Sequence, residues 1–308
     1  MRPAIIAIFG PTAVGKTAVA VAVAERLRAG GEDPVAIGVD ALQVYAGLEV
    51  LTAQPDAAER AALEHRLVGF LPVSRTWSVA EHAQRAHAEI DAALAAGRTP
   101  LVVGGTGLYL RAALTELTLA PPPPPGLRDA LLHQAAKPGG LAALHAELAE
   151  RDPAAAASVS PTDTTRVVRA HELLAAGRSY AEVAGGTELW ARDTRHPALL
   201  VGLTMERARL RERAAQRMAA MVEAGVAEEV RRADRAGASA TARAAVGFAE
   251  LLGGDVAGAI TKTRQLAKRQ ETWMRRLPAD AVIDVTGRAA GDVAAQINGM
   301  WAATRAPA

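Results

Sequence analysis

The sequence predicts an α/β fold in which a parallel sheet carrying a P-loop is interrupted by an all-helical insertion. Three observations predict it. Short β-type runs, Ala4–Phe9, Val35–Val39 and Pro100–Val103, are each followed by loop residues and then by a helical pattern. That alternation marks a parallel sheet whose ligands gather at the carboxyl ends of its strands. Gly10-Pro11-Thr12-Ala13-Val14-Gly15-Lys16-Thr17 stands between the first run and the first helix, the context in which a G-x-x-x-x-G-K-[ST] match is a phosphate-binding loop. Pro121-Pro122-Pro123-Pro124-Pro125 then opens a stretch, Leu127 to Ala184, with only helical patterns.

Taken in order, Ala4–Phe9 is apolar and runs straight into the glycine motif, so it is a strand and not a signal peptide. Helical patterns follow at Val14–Arg28 and Val79–Ala96, and Gly104-Gly105-Thr106-Gly107 follows the third strand. Five prolines cannot continue a helix or a sheet and form a stiff connector. Pro197 opens a further strand, Ala198–Leu203, long helices follow, and a last strand falls near Ala281–Val285. The economical division is a core of residues 1–120 and 196–308 around an insertion of residues 121–195.

Composition limits the chemistry. The 308 residues are 50% hydrophobic and 22% charged, as in an ordinary globular protein, and only 3% aromatic, which leaves few platforms for stacking bases. With no cysteine, disulfides, zinc–thiolate sites and cysteine nucleophiles are excluded. No run reaches the roughly 18 apolar residues that span a bilayer, so no membrane association and a cytoplasmic location are expected. The net charge is only +2, so any polyanion site must come from local clustering.

Five features carry chemistry. In the P-loop, Gly10 to Thr17, backbone amides and the helix N-terminus suit a phosphate, Lys16 neutralises its charge, and the Thr17 hydroxyl can ligate Mg²⁺. The motif binds a diphosphate or a triphosphate without saying which, so ATP binding is open on these residues alone. Asp40, in Asp40-Ala41-Leu42-Gln43, follows the second strand and could coordinate Mg²⁺, act as a general base or cap a helix. The Gly104–Gly107 loop offers close backbone approach to a ligand and the hydroxyl of Thr106. Residues 262–276 carry six basic side chains against one acid, Glu271. At 100° per residue, Arg264, Lys268 and Arg275 share one stripe, with Leu266, Trp273 and Leu277 opposite. In the insertion, Arg166 and Arg169 share a helix face across Val167 and Val168.

GPTAVGKT, VDALQVY, VVGGTGLYL, TRVVRAHELL and TRQLAKRQETWMRR, in this order, resemble the bacterial tRNA dimethylallyltransferase family over roughly residues 4 to 277. The resemblance implies a P-loop nucleoside-kinase-like core with a helical insertion. It implies transfer of a dimethylallyl group from its diphosphate to the N6 amine of the adenosine 3′-adjacent to the anticodon. On that reading Gly10 to Thr17, with Arg264, hold the donor diphosphate, with Mg²⁺ near Thr17. Asp40 is the general base and Thr106 lies near the amine. The tRNA would be contacted by Asp40, Ala41, Leu42, Gln43 and Thr106, and by Arg128, Thr165, Arg166, Val167, Val168 and Arg169 of the insertion. Ala244, Ala245, Val246, Gly247, Phe248, Ala249, Lys268 and Arg275 would add further contacts. The expected partners are the tRNA anticodon stem-loop and dimethylallyl diphosphate, and the chain is expected to be a monomer. The family usually has Ser at Ala41, Gly at Leu51, Lys at Gln54 and Tyr at Phe248; with the P-loop, Asp40 and Gln43 kept, activity is expected to be retained.

Three rivals share some of these residues. A small-molecule P-loop kinase has no obvious use for the insertion or the basic helix. A prenyltransferase acting on free adenine nucleotide has no need of so large a footprint. A nucleotide-regulated RNA-binding module without catalysis leaves Asp40 beside the P-loop unexplained.

Overall fold

The computed structural model describes residues 3–117, 119, 123–184 and 188–305. Of the proline run, Pro121 and Pro122 lie outside the described residues.

Six strands, β1 (Ile5–Phe9), β2 (Pro34–Gly38), β4 (His65–Arg66), β6 (Thr99–Gly104), β7 (Ala198–Thr204) and β8 (Ala281–Asp284), form one sheet in the order β4-β2-β6-β1-β7-β8. Every pairing is parallel, with Ile6 opposite both Leu101 and Leu199. Two short strands, β3 (Tyr45–Ala46) and β5 (Leu71–Pro72), pair separately. All five residues of β1 are buried, because a parallel sheet is covered on both faces; such a strand is a continuous apolar run and not an alternation. β6 lies between β2 and β1, so the loops after these three strands emerge side by side.

Helices α1 (Lys16–Ala29), α2 (Ala57–Ala62), α3 (Val79–Ala95) and α4 (Gly107–Leu114) belong to the first half of the core. The helix α1 starts at Lys16, two residues after the expected Val14, because Ala13 and Gly15 adopt φ values of 68° and 100°. That left-handed backbone belongs to the loop and cannot be helical.

Residues 117–191 form a separate compact unit, with α5 (Leu127–Ala135), α6 (Gly140–Arg151), α7 (Pro153–Ser158), α8 (Thr164–Ala175) and α9 (Tyr180–Ala184). Its core gathers Leu131, Leu144, Val159, Val167 and Val168. The boundary lies before 195 because Arg195 and His196 are held by the core: Asp91 of α3 accepts from Arg195 at 3.0 Å and pairs with His196 at 2.7 Å.

The chain then completes the core with α10 (Arg207–Glu223), α11 (Val226–Arg235), α12 (Ala240–Arg243), α13 (Phe248–Leu252), α14 (Val256–Met274) and α15 (Ala290–Arg305). The last helix packs on α1, and α10 packs on α14.

Candidate active site

The P-loop turns back on itself at the end of β1. A Cβ at Gly10 would lie 2.8 Å from the Leu203 carbonyl of the neighbouring strand, so only glycine fits. Lys16 Nζ donates to the carbonyls of Gly10 and Pro11, both at 3.1 Å. Burial lowers its pKa to about 8, Asp40 opposes the fall, and Arg217 adds to it. A desolvated cation here is costly without an anion.

Two α10 arginines missing from the sequence-based expectations stand at this loop. Arg213 and Arg217 line the same cavity as Lys16 and Thr17, and Arg217 Nη2 donates to the Thr12 hydroxyl. Burial, then the neighbouring Arg213, depresses the Arg217 pKa, while Asp40 raises it. The available signal was spacing: Leu210, Ala214, Met218 and Met221 form the buried stripe of α10, and Arg213 and Arg217 each precede one of its members. Five arginines between 207 and 217 made that signal hard to isolate.

Asp40 sits at the second strand end. Its Oδ1 accepts from the Leu42 amide at 3.0 Å, and its Oδ2 faces the Thr106 hydroxyl at 3.5 Å. Thr106 Oγ1 also accepts from the Ala41 amide at 3.4 Å. No helix starts here; the next is α2 at Ala57. Asp40 therefore makes a local turn contact and caps nothing. Gln43 Nε2 donates to the carbonyls of Thr52 and Ala53 at 3.1 and 2.8 Å, so its amide fastens the next loop. Glu229 of α11, 3% exposed, completes that fastening by accepting from the Val50 and Leu51 amides, both at 2.8 Å. Gln54 donates to the Tyr45 carbonyl at 2.8 Å and accepts from Arg60 at 3.0 Å.

The glycines of the third loop are required by packing, and Gly104 also lines the P-loop cavity. A Cβ at Gly104 would lie 2.3 Å from the Val39 carbonyl, at Gly105 2.4 Å from the Gln270 amide, and at Gly107 2.4 Å from the Trp273 ring. Gln270, 6% exposed, also accepts from the Thr12 amide at 2.7 Å. It thus joins the first and third loops to α14. Trp77 donates to the fully buried His82 at 3.4 Å, and the rings of Phe70 and Tyr109 pack around this pair. Burial lowers the His82 pKa to about 4, so the imidazole is neutral at pH 7.

These elements enclose a cavity of about 490 Å³. Its polar side holds Thr12, Lys16, Thr17, Asp40, Arg213 and Arg217, and its apolar wall holds Leu51, Met218, Met221, Val246 and Leu266.

Helix α14 has two working faces. Thr263, Leu266 and Gln270 face this cavity, whereas Arg264 and Lys268 line a second depression of about 440 Å³ with Arg207 and Arg211 of α10. One residue of helix rotates a side chain by about 100°, so Arg264 points away from the P-loop cavity. Arg264, expected beside the P-loop, lies in the second depression, and Arg213 and Arg217 stand in the P-loop cavity. Lys268 and Arg275 are exposed, and Arg275 donates to Thr272 at 3.1 Å.

Other expected contacts divide by burial. Ala244 and Ala249 are exposed and Val246 lines the cavity, but Ala245 and Phe248 are 4% and 1% exposed. Those two side chains fill the core beside Gly247, whose φ of 92° starts α13. In the helical unit Thr165 and Arg166 are exposed, while Val167 and Val168 are wholly buried, which removes both valine side chains from any contact with RNA. Arg128 and Arg169 both pair with Glu172, at 2.7 and 2.9 Å.

A family model described as IPP transferase matches residues 43–277. The chain is 41% identical over 289 residues to a tRNA dimethylallyltransferase of Thermobifida fusca, covering 89% of this chain and 88% of that one. It is 43% identical over 282 residues to one of Anaeromyxobacter dehalogenans, covering 88% and 92%. The fold matches a tRNA isopentenylpyrophosphate transferase of Bacillus halodurans with a TM-score of 0.69 and 29% identity, over 99% of this chain and 98% of that one. A eukaryotic dimethylallyltransferase solved acting on tRNA shares the fold, with a TM-score of 0.73 and 22% identity over 96% of this chain and 77% of that one. With the P-loop, Asp40 and the α14 motif gathered around one cavity, and with relatives alike along nearly the whole chain, this protein belongs to the IPP transferase family.

Proposed function

We propose that the chain transfers a dimethylallyl group from dimethylallyl diphosphate to the N6 amine of the adenosine 3′-adjacent to the anticodon of tRNA, releasing diphosphate. The observation that carries this is the single cavity in which three cations, Lys16, Arg213 and Arg217, meet apolar side chains and a carboxylate. A diphosphate, a five-carbon tail and an amine need those three surroundings. A kinase needs the first and not the second.

In the reaction the donor's C1–O bond breaks as the N6–C1 bond forms. Charge grows on the departing diphosphate, and Lys16, Arg213, Arg217 and the P-loop amides stabilise it without reorganising. The N6 proton passes to Asp40, whose Oδ2 is oriented by Thr106. Leu51, Met218, Met221, Val246 and Leu266 exclude water from the allylic carbon. Among the described residues no three acidic or imidazole side chains gather as a metal cage. The Thr17 hydroxyl in the cavity lining suits Mg²⁺, which takes one or two protein ligands and completes its shell with phosphate oxygens and water. Thr17 would hold it, and when bound it supplies positive charge to the leaving group.

The adenosine must leave its loop stack to reach the cavity, at a cost of about a few kcal/mol that is least in a single-stranded loop. The trough of Arg207, Arg211, Arg264 and Lys268, and the exposed Arg275, would meet phosphates of the tRNA; their exposure and like charge support this. Thr165, Arg166, Arg128 and Arg169 offer a second footprint on the helical unit. On this reading the chain works as a monomer in the cytoplasm. Separately, among the described residues no helix is long and apolar enough to cross a membrane.

The test is mass spectrometry of nucleosides from tRNA incubated with the protein, dimethylallyl diphosphate and Mg²⁺, without ATP. N6-isopentenyladenosine should appear. Unmodified adenosine, or product only when ATP is added, overturns the reading.

A further inference from the structure

Among the described acids of the helical unit Glu172 is the most deeply buried, with 1% of its surface exposed. Its two oxygens are divided between two helices. Oε1 accepts from Arg128 of α5 at 2.7 Å, and Oε2 accepts from Arg169 of α8 at 2.9 Å. The two arginine side chains remain 49% and 33% exposed. A buried carboxylate is costly unless paired, and a single arginine would pair it. Two arginines leave the cluster with a net positive charge at the surface.

Each guanidinium carries five N–H donors in a rigid fork. One donor of each is spent on Glu172, so a single carboxylate ties down both forks while each side chain stays partly exposed. Two oriented forks with one surplus charge suit a phosphate, whose oxygens accept planar, paired hydrogen bonds. Arg166, one turn before Arg169, pairs instead with Asp163 at 3.3 Å, so it lacks this arrangement.

We propose that Glu172 is a positioning residue for tRNA: it touches no RNA, and it sets Arg128 and Arg169 as a two-pronged clamp on one backbone phosphate. This rests on the tRNA reading above. Removing the carboxylate leaves both positive charges in place but frees their side chains.

The experiment uses the full-length protein and follows prenyl transfer to tRNA. Glu172→Gln should raise KM for tRNA about tenfold, the scale of a charge-assisted hydrogen bond, and leave KM for dimethylallyl diphosphate unchanged. Arg128→Gln with Arg169→Gln should do at least as much, and adding Glu172→Gln to that pair should change nothing further. A Glu172→Gln effect that persists in the arginine-less background marks a purely structural role and overturns the proposal. So does tighter tRNA binding in Glu172→Gln, which would mean that the carboxylate only cancels charge. If Glu172→Gln does not fold, Arg128→Lys and Arg169→Lys decide. Lysine keeps the charge without the fork, so each should raise KM for tRNA, and a parental KM in both overturns the clamp. Absence of transfer by the parent protein itself would instead refute the prenyltransferase reading.

Discussion

Positive charge stands in two different surroundings beside helices α10 and α14. In the P-loop cavity, Lys16 of α1 and Arg217 of α10 are half-buried, and desolvation depresses both pKa values. In the trough on the other side of the same helix pair, Arg207, Arg211, Arg264 and Lys268 are exposed; the closest acid is Glu271, 3.9 Å from Arg207. Desolvated cations bind a compact anion strongly and are little affected by salt, whereas exposed ones act through a screened field. The difference teaches that about 100° of helix rotation, and not a change of residue type, separates the two surroundings, which on the proposed reading serve the diphosphate and the polyanion.

The largest expected effect comes from the enclosed site. Lys16→Ala should lower kcat/KM by about 10²–10³-fold, as loss of one preorganised charge-stabilising group does, with a rise in donor KM. A loss of tRNA affinity alone would erase the distinction between the two sites. Asp40→Asn separates base from phosphate holder within the cavity. It should lower kcat by about 10²–10⁴-fold and leave donor KM near parental. Near-normal turnover would remove Asp40 from proton transfer.

A pH experiment sharpens the comparison further. With Lys16 at about 8 in the fold against 10.5 for an ordinary lysine, the unfolded chain binds the proton more tightly. Charged Lys16 therefore costs stability below pH 8, and the cost is relieved as pH rises from 8 toward 10.5. Stabilisation by added diphosphate should run the other way, since it needs the charged form. The thermal shift given by inorganic diphosphate should be larger at pH 7 than at pH 9.5. An equal shift at both would show that Lys16 does not titrate in this range.

Much of this arrangement was legible in the sequence, for reasons that differ by residue. The P-loop and Asp40 sit at strand ends, and a parallel sheet brings such ends together whatever lies between them. The sheet neighbours of β1 follow from that logic, and the short strands His65–Arg66 and Tyr45–Ala46, two residues each, are too brief to show a pattern. Arg213 and Arg217 were hidden among other arginines, since only tertiary packing decides which of a helix's charges turn inward. Val167, Val168, Ala245 and Phe248 show the reverse error. A motif is contiguous in sequence, but helix rotation buries every third or fourth member, so the motif as a whole is not a surface. Arg264 failed for the same reason, one position from Thr263, which does face the cavity.

The smallest effect belongs to the exposed helix end. Arg275→Gln should flatten the slope of log tRNA affinity against log salt by no more than about 0.7, the share of one phosphate contact on a single strand.

The separation of the two sites is tested most directly by crossing two double variants with two readouts. Arg213→Gln with Arg217→Gln should raise KM for dimethylallyl diphosphate and leave the salt slope of tRNA binding unchanged. Arg264→Gln with Lys268→Gln should leave donor KM unchanged and flatten that slope by about 1.4, for two phosphate contacts. If both pairs shift the same parameter, or if the trough pair raises donor KM while the salt slope stays parental, the two surroundings do not divide the ligands between them.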